Sequence, residues 1–186
     1  MNKVSYKTKL FTKQQGMTFI EVIIALVIIV IGILGAVALQ ATAKKSSFDA
    51  MQRSLASSLA QDMIARLRAN NVANLVDYAR DDYGVALNVP PVVDCNVANA
   101  PCSASQIVIH DIYEWERALV GGDVTDNGNA AGGIVDGRGC IFRNGNAMTV
   151  VVSWQGRDAI SDNANNERCG AAGSKRRQVV VQAFII

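Results

Sequence analysis

The sequence predicts an α+β fold, one long N-terminal helix packed on a small antiparallel sheet. Three observations carry this. Residues 22–39 read VIIALVIIVIGILGAVAL, an apolar run without a charge. No proline occurs from Met17 to Asn70, so a helix can run on past that stretch. Near the other end, Val179, Val181, Ala183 and Ile185 alternate with Val180, Gln182 and Phe184, the period of a strand with two unlike faces.

Composition bounds the class. The chain has 186 residues, 50% hydrophobic and 18% charged, enough for one domain with a real core but not for two large ones. The concentrated apolar run excludes a purely soluble globule, a disordered chain and a multi-span membrane protein. A net charge of +2 is too small to argue for nucleic acid by itself. The charge is also uneven. Residues 1–16 carry Lys3, Lys7, Lys9 and Lys13 and no acid, and the rest holds 14 basic against 16 acidic residues, a net of −2.

The apolar segment has three readings. A secretory signal peptide would need a small-residue cleavage site after the run, for which Ala41 and Ala43 give only a weak match. A plain membrane anchor fits the length, and its branched and aromatic side chains favour insertion by roughly −5 to −9 kcal/mol. Neither reading has a use for Glu21, because a carboxylate inside a membrane segment is costly and commonly has a task.

The third reading does. The string Lys13-Gln14-Gln15-Gly16-Met17-Thr18-Phe19-Ile20-Glu21-Val22 resembles the processing site of type IV prepilins. The resemblance implies that a prepilin peptidase cuts between Gly16 and Met17. It also implies that the new amino group of Met17 is methylated, and that the apolar helix stays on the mature chain with Glu21 as fifth residue. Glu21 would then neutralise a neighbouring subunit's amino group in a low-dielectric setting, where an unpaired charge is expensive, and so set axial register. The plainer alternative leaves Glu21 at the lipid headgroups, where charge is cheap.

Two features depart from the commonest pattern. Met17 stands where phenylalanine is usual. The apolar helix lacks a proline, since Pro90, Pro91 and Pro101 all lie downstream. The string Ile31-Gly32-Ile33-Leu34-Gly35, followed by Leu39-Gln40, is similar to PilV-type minor pilins, also called pilus modification proteins. This closer likeness covers about residues 14–70. It implies a structural and assembly subunit that helps initiate pilus assembly and sits at or near the tip. A filament-displayed adhesion or DNA-binding module, or a minor pseudopilin of type II secretion, remain as alternatives. The implied partners are the prepilin peptidase, the inner membrane, other minor pilins and the major pilin, with a large tip adhesin admitted and nucleic acid disfavoured. The implied location is the bacterial inner membrane, single-pass with the bulk periplasmic, and then the filament on the cell surface.

Four segments follow: a basic leader at 1–16, a transmembrane half-helix at 17–39, an amphipathic periplasmic half at 40–71 and a periplasmic globular domain at 72–186. The helix would extend roughly 80 Å, of which the membrane takes about 30 Å. Phe48, Met51, Leu55, Leu59, Met63 and Leu67 recur at helical steps and predict its buried face. Asp49 with Arg53, and Asp62 with Arg66, are spaced as i,i+4 pairs on the other surface. Asn70 and Asn71 are plausible stops. Gly32 and Gly35 mark either a bend, a close helix contact or ordinary membrane-helix glycine.

Residues 74–102 read as a surface connection. Ser103 with Gln106 resembles a capping box. Val108, Ile112, Trp115 and Leu119 then repeat at helical spacing until Gly121-Gly122, and the PilV-type likeness also implies a short helix here with Trp115 in the core. Residues 121–139, rich in Gly, Asn and Asp, read as a long loop. Asn144-Gly145 predicts a hairpin turn between strands at 140–143 and 147–154.

Cys95, Cys102, Cys140 and Cys169 admit three pairings. Spacing favours Cys95 with Cys102 and Cys140 with Cys169, and the position of all four beyond the apolar run suits an oxidising periplasm. A zinc site is the alternative, disfavoured because there is no Cys-x-x-Cys and His110 is the sole histidine. Catalysis has little support. His110 beside Asp111 could serve a triad, but no Gly-x-Ser-x-Gly elbow exists. Asp81, Asp82, Glu114 and Glu116 have no metal-loop spacing and read as solvated. No enzyme activity and no cofactor are expected. Lys175-Arg176-Arg177 is the one compact basic cluster, either a ligand-binding patch or, more simply, a solvated turn protecting a sheet edge.

Overall fold

The computed structural model describes residues 16–87, 89–97, 101–160 and 169–186. Lys3, Lys7, Lys9 and Lys13 of the basic leader lie outside the described residues. The chain is α+β. A 51-residue helix, α1 (Phe19–Ala69), is followed by a 3₁₀ segment (Val72–Tyr78) and helix α2 (Ala104–Val120). Two short strands, β1 (Thr125–Asp126) and β2 (Asn129–Ala130), precede the main sheet of β3 (Arg138–Asn144), β4 (Ala147–Gln155) and β5 (Arg176–Phe184). Two compact units meet along the chain between Lys44 and Lys45.

The first unit contains the N-terminal part of α1. Its apolar side chains are exposed from Phe19 to Leu39. This is the one helix among the described residues long and apolar enough to cross a membrane. The whole run faces outward, so lipid or other helices must cover it.

The second unit has a single core. The rest of α1 contributes Gln52, Ala56, Leu59, Ala60, Met63, Ile64 and Leu67. This differs from the expected face. Met51 is 58% exposed, and Phe48 and Leu55 are only partly covered. Small Ala56 and Ala60, with no accessible surface, hold the centre of the stripe because they admit neighbours close to the helix axis. Gln52 is buried because its Oε1 accepts the Val135 N–H at 3.0 Å. The chain connecting α2 to the sheet is thereby tied to α1.

The expected surface connection is only partly so. The 3₁₀ segment starts with Asn71, whose side chain accepts from Ala73 N, so Asn71 opens this element as well as following α1. Its Leu75 and Tyr78, and then Tyr83, have no exposed surface. Helix α2 begins as expected, with Ser103 and Gln106 reciprocally capped. It ends at Gly121, whose φ of 74° is left-handed. A side chain there would overlap the backbone of Gly132, so the position suits glycine on two grounds. Trp115 lies in the core, its Nε1 donating to the Leu59 carbonyl at 2.8 Å and its ring edge-on to Tyr83 at 5.2 Å.

The expected long loop at 121–139 contains the β1–β2 hairpin. It turns on Asn127 (φ 49°) and Gly128 (φ 82°), which fits a type I′ Asn-Gly turn. The main hairpin is shifted by one residue from expectation. Asn144 pairs with Ala147, so the two central residues are Gly145 and Asn146. Gly145 alone has positive φ, 61°, as a II′ turn requires. The sheet order is β3-β4-β5, antiparallel throughout. Met148, Val150, Val152 and Trp154 of β4 face the core.

Candidate functional site

The head of α1 holds the residues expected to serve processing and assembly, Gly16, Met17 and Glu21. Gly16 is exposed, and a Cβ built on it meets nothing within 4 Å. Its backbone is also outside the left-handed region. Nothing in the fold therefore demands glycine there. Thr18 begins the helix, its carbonyl accepting from Glu21 N at 3.1 Å and Val22 N at 3.3 Å. The Glu21 carboxylate accepts from the Thr18 N–H and hydroxyl, both at 3.4 Å. Thr-x-x-Glu is a capping-box spacing. It was readable in the sequence and gives Glu21 a local use besides any contact with a neighbour. Both bonds sit at the long end of the hydrogen-bond range on an exposed side chain, so the carboxylate is open to a stronger partner.

In the second unit the polar centre is Arg66. Its Nε meets Asp62 at 2.9 Å, as the i,i+4 spacing suggested, and Nη1 meets Asp111 at 2.9 Å and Glu114 at 3.0 Å. Tyr78 donates to Asp111 at 2.7 Å, and Asn70 donates to the Tyr78 oxygen at 2.9 Å. Burial opposes the Arg66 charge, but the three carboxylates outweigh it and hold the guanidinium pKa above its ordinary value. Burial pushes the Tyr78 hydroxyl up, and its bond to Asp111 adds to this. For Glu114, burial works to raise the carboxyl, while the Asn96 amide and Arg66 prevail and hold it below the usual range. The network joins α1, the 3₁₀ segment, α2 and the loop carrying Asn96. Its evident role is to lock these elements together.

Of the carboxylates expected to be solvated, Glu114 and Glu116 are not. Glu116 has no exposed surface and accepts from Gly84 N at 2.8 Å. Glu114 belongs to the Arg66 network. Asp81 and Asp82 are exposed, Asp82 pairing with Arg80 at 2.9 Å. Asp49 does not pair with Arg53. It receives Arg177 at 3.2 Å, because the start of β5 lies beside this turn of α1. Nearby, Arg157 stacks on Phe48 at 4.1 Å and Lys45 meets Asp158 at 3.7 Å.

The basic cluster is taken apart in the same way. Arg176 is 2% exposed and bonds the carbonyl and carboxylate of Asp136 at 2.9 and 2.7 Å. Arg177 is held by Asp49 and by the Asp158 carbonyl. Lys175 alone is exposed. A run of cations in sequence is thus split by strand alternation and by acids from distant segments, and no basic patch is displayed here.

Cys95 pairs with Cys102 and Cys140 with Cys169, at Cα separations of 5.7 and 5.6 Å. The second bond lies on the outer face of the sheet. Cys140, Val151 and Cys169 form a small buried cluster there, and Ser153 Oγ donates to the Cys169 carbonyl at 2.8 Å. His110 is buried in α2, near Asp94 (3.5 Å), Asn96 (3.4 Å) and Glu114 (3.7 Å). Among the described residues no serine hydroxyl bonds it, and no cluster of His, Cys, Asp and Glu is fit to hold a metal. The open cavity of about 460 Å³ beside it, lined by Pro90, Pro91, Tyr113 and Arg117 among others, mixes acids and bases that mostly satisfy each other.

An apolar helix long enough to cross a membrane, capped by a glutamate and continuing into a disulfide-bonded α+β unit, defines the class: a pilin-like fold. Comparison with known families agrees. Residues 11–37 match the prokaryotic N-terminal methylation motif, and residues 38–113 match the Tt1218-like family, described as type IV pilin Tt1218. The chain is a type IV prepilin. Proteins of this family are structural, and the methylation motif fits processing by a prepilin peptidase, anchoring in the inner membrane and assembly with other pilins. No curated protein and no solved structure matched the chain.

Proposed function

We propose that this pilin subunit is a minor, PilV-type pilin that helps initiate pilus assembly and sits at or near the tip. The observation that carries the proposal is the spacing of Gly16 and Glu21 at the head of an uninterrupted apolar helix, within the segment that matches the methylation motif. The proposal divides the chain into a leader at 1–16, a membrane-spanning stretch at 17–39, a periplasmic half-helix at 40–71 and a globular domain at 72–186. Cleavage falls between Gly16 and Met17, and Met17 is methylated. Glu21 then exchanges its long bonds at Thr18 for a neighbouring subunit's amino group. That bond is strengthened by low dielectric. The absence of proline from the apolar helix and the Ile31–Gly35 string support a minor rather than a major subunit. Displayed DNA binding loses support, because Arg176 and Arg177 are occupied by Asp136 and Asp49.

A deletion strain tests the role. Loss of surface pili, restored by the wild-type gene, is the expected outcome. Normal pili with lost adhesion would favour a binding module, and normal pili with blocked enzyme export would favour a pseudopilin. In the same strain Glu21→Ala is expected to be cut and inserted normally, since removing a carboxylate makes the segment more apolar, yet to restore few pili. Full complementation by Glu21→Ala would make Glu21 a bystander to assembly.

A further inference from the structure

The two edges of the main sheet are treated differently. The β3 edge is covered by the chain preceding α2, with Gly139 N donating to the Tyr83 carbonyl at 3.0 Å and Ile141 N to the Arg80 carbonyl at 2.6 Å. The β5 edge has no such cover among the described residues. Gly156 N bonds the Lys175 carbonyl and Ile185 N bonds the Asn146 carbonyl, and both pairs continue the β4–β5 register. Odd-numbered residues of β5 therefore turn their backbone groups toward β4. By alternation, Gln178, Val180, Gln182 and Phe184 turn theirs outward.

That row carries none of the usual protection. Natural edges are blunted by lysine, proline, bulges or short length. Here residues 178–186 contain no charge and no proline, the strand is nine residues long, and its register with β4 is unbroken. Val180 and Phe184 are 49% and 65% exposed. Exposed Lys175 stands at the start of the strand.

We propose that the outer edge of β5 accepts an extended segment of another protein as a fourth, antiparallel strand. A row of outward N–H and C=O groups is matched in full only by an extended backbone. An antiparallel addition continues the pattern of the sheet. The incoming segment is uncharged over about seven positions, facing the uncharged row, because a charge there would lose water without gaining a partner. It carries an acid at its C-terminal end, which antiparallel pairing brings to Lys175. A second copy of this chain fits worse. Residues 169–186 contain three basic residues and no acidic side chain, so two paired β5 strands would bring basic side chains together with no acidic side chain between them.

The test uses the full chain in detergent and a nine-residue peptide that alternates valine and threonine and ends in aspartate. In the free protein the amides of Gln178, Val180, Gln182 and Phe184 exchange faster than those of Val179, Val181 and Ala183. Saturating peptide slows the outward set by about tenfold or more. A peptide N-methylated at alternate residues does not bind, and one ending in lysine binds more weakly. Val180→Pro removes an outward donor without removing a β4 bond and abolishes binding; Gln182→Lys, milder for folding, weakens it. The proposal is overturned if the outward amides are already protected in the free protein, or if the peptide fails to bind at millimolar concentration. Equal binding of the N-methylated peptide, or of both variants, overturns it too. Self-association that Val180→Pro removes would assign the edge to a second copy instead.

Discussion

Trp115→Ala is the substitution for which the structure gives the clearest magnitude. The indole has no exposed surface and packs edge-on to Tyr83. Gly139 lies so close that any Cβ there would enter the ring, so β3 has no side chain to collapse into the space. Large-to-small aromatic changes in cores cost about 3–5 kcal/mol, and a site unable to collapse belongs at the upper end. For a domain near this size each kcal/mol lowers the melting temperature by about 2–4 °C, so a cost of about 4–5 kcal/mol predicts a fall of about 8–20 °C. Trp115→Phe separates the two contributions: it keeps most of the packing but loses the 2.8 Å bond to the Leu59 carbonyl, at about 1 kcal/mol plus a smaller void. The chain has two tryptophans, so either variant leaves Trp154 as the sole indole reporter. Thermal unfolding of oxidised, full-length protein in detergent, followed by near-UV circular dichroism, is the assay. A shift below about 2 °C for Trp115→Ala would mean that Trp115 does not hold α1 to the sheet, and the account of the core given above fails with it.

Other outcomes follow from the same geometry. Gly16→Val is expected to leave uncut precursor, heavier by the leader in intact-mass analysis, while the folded unit melts unchanged; normal cleavage would show that Gly16 is not read. Replacing Cys140 and Cys169 together by alanine frees a loop with a sequence separation of 29 and is expected to cost about 3–4 kcal/mol in denaturant titration. Loss of the Cys95–Cys102 bond, separation 7, costs less on the same model. Glu114 has a folded pKa below its unfolded value, so its stabilisation is present above the unfolded value of about 4.3 and is lost as pH falls through the folded one. Glu114→Gln is therefore expected to lower stability at neutral pH and to make its acid dependence shallower; an unchanged slope would exclude Glu114 from the acid transition.

Much of the fold was legible because local rules and tertiary contacts agreed. The Ser103–Gln106 cap, the Val108 to Leu119 stripe and its Gly121 stop predict α2 with little ambiguity. Alternation predicts β5, and spacing favours the observed disulfides. The failures share a cause. Counting large apolar residues placed Met51 in the core, whereas Ala56, Ala60 and a hydrogen-bonded Gln52 occupy it. Asn-Gly is a strong turn signal, but only Asn127-Gly128 adopts it; Asn144 is held in the last pair of the β3–β4 ladder, and the bend moves to Gly145. Arg176 read as solvated because nothing near it in sequence announces Asp136, the acid that makes its burial tolerable. At the head of α1 the Thr18–Glu21 cap was visible in the sequence.

The position of the Cys140–Cys169 bond has a mechanical consequence. A filament subunit is loaded in tension, and a chain pulled from its C-terminal end gives way first at its last strand. Here β5 can peel from β4, but the covalent ring stops the unravelling there. The chain between the two cysteines, a sequence separation of 29, would otherwise release about 100 Å of slack. Oxidised, the subunit can lengthen by little more than its final strand; reduced, the same pull would pay out the hairpin as well.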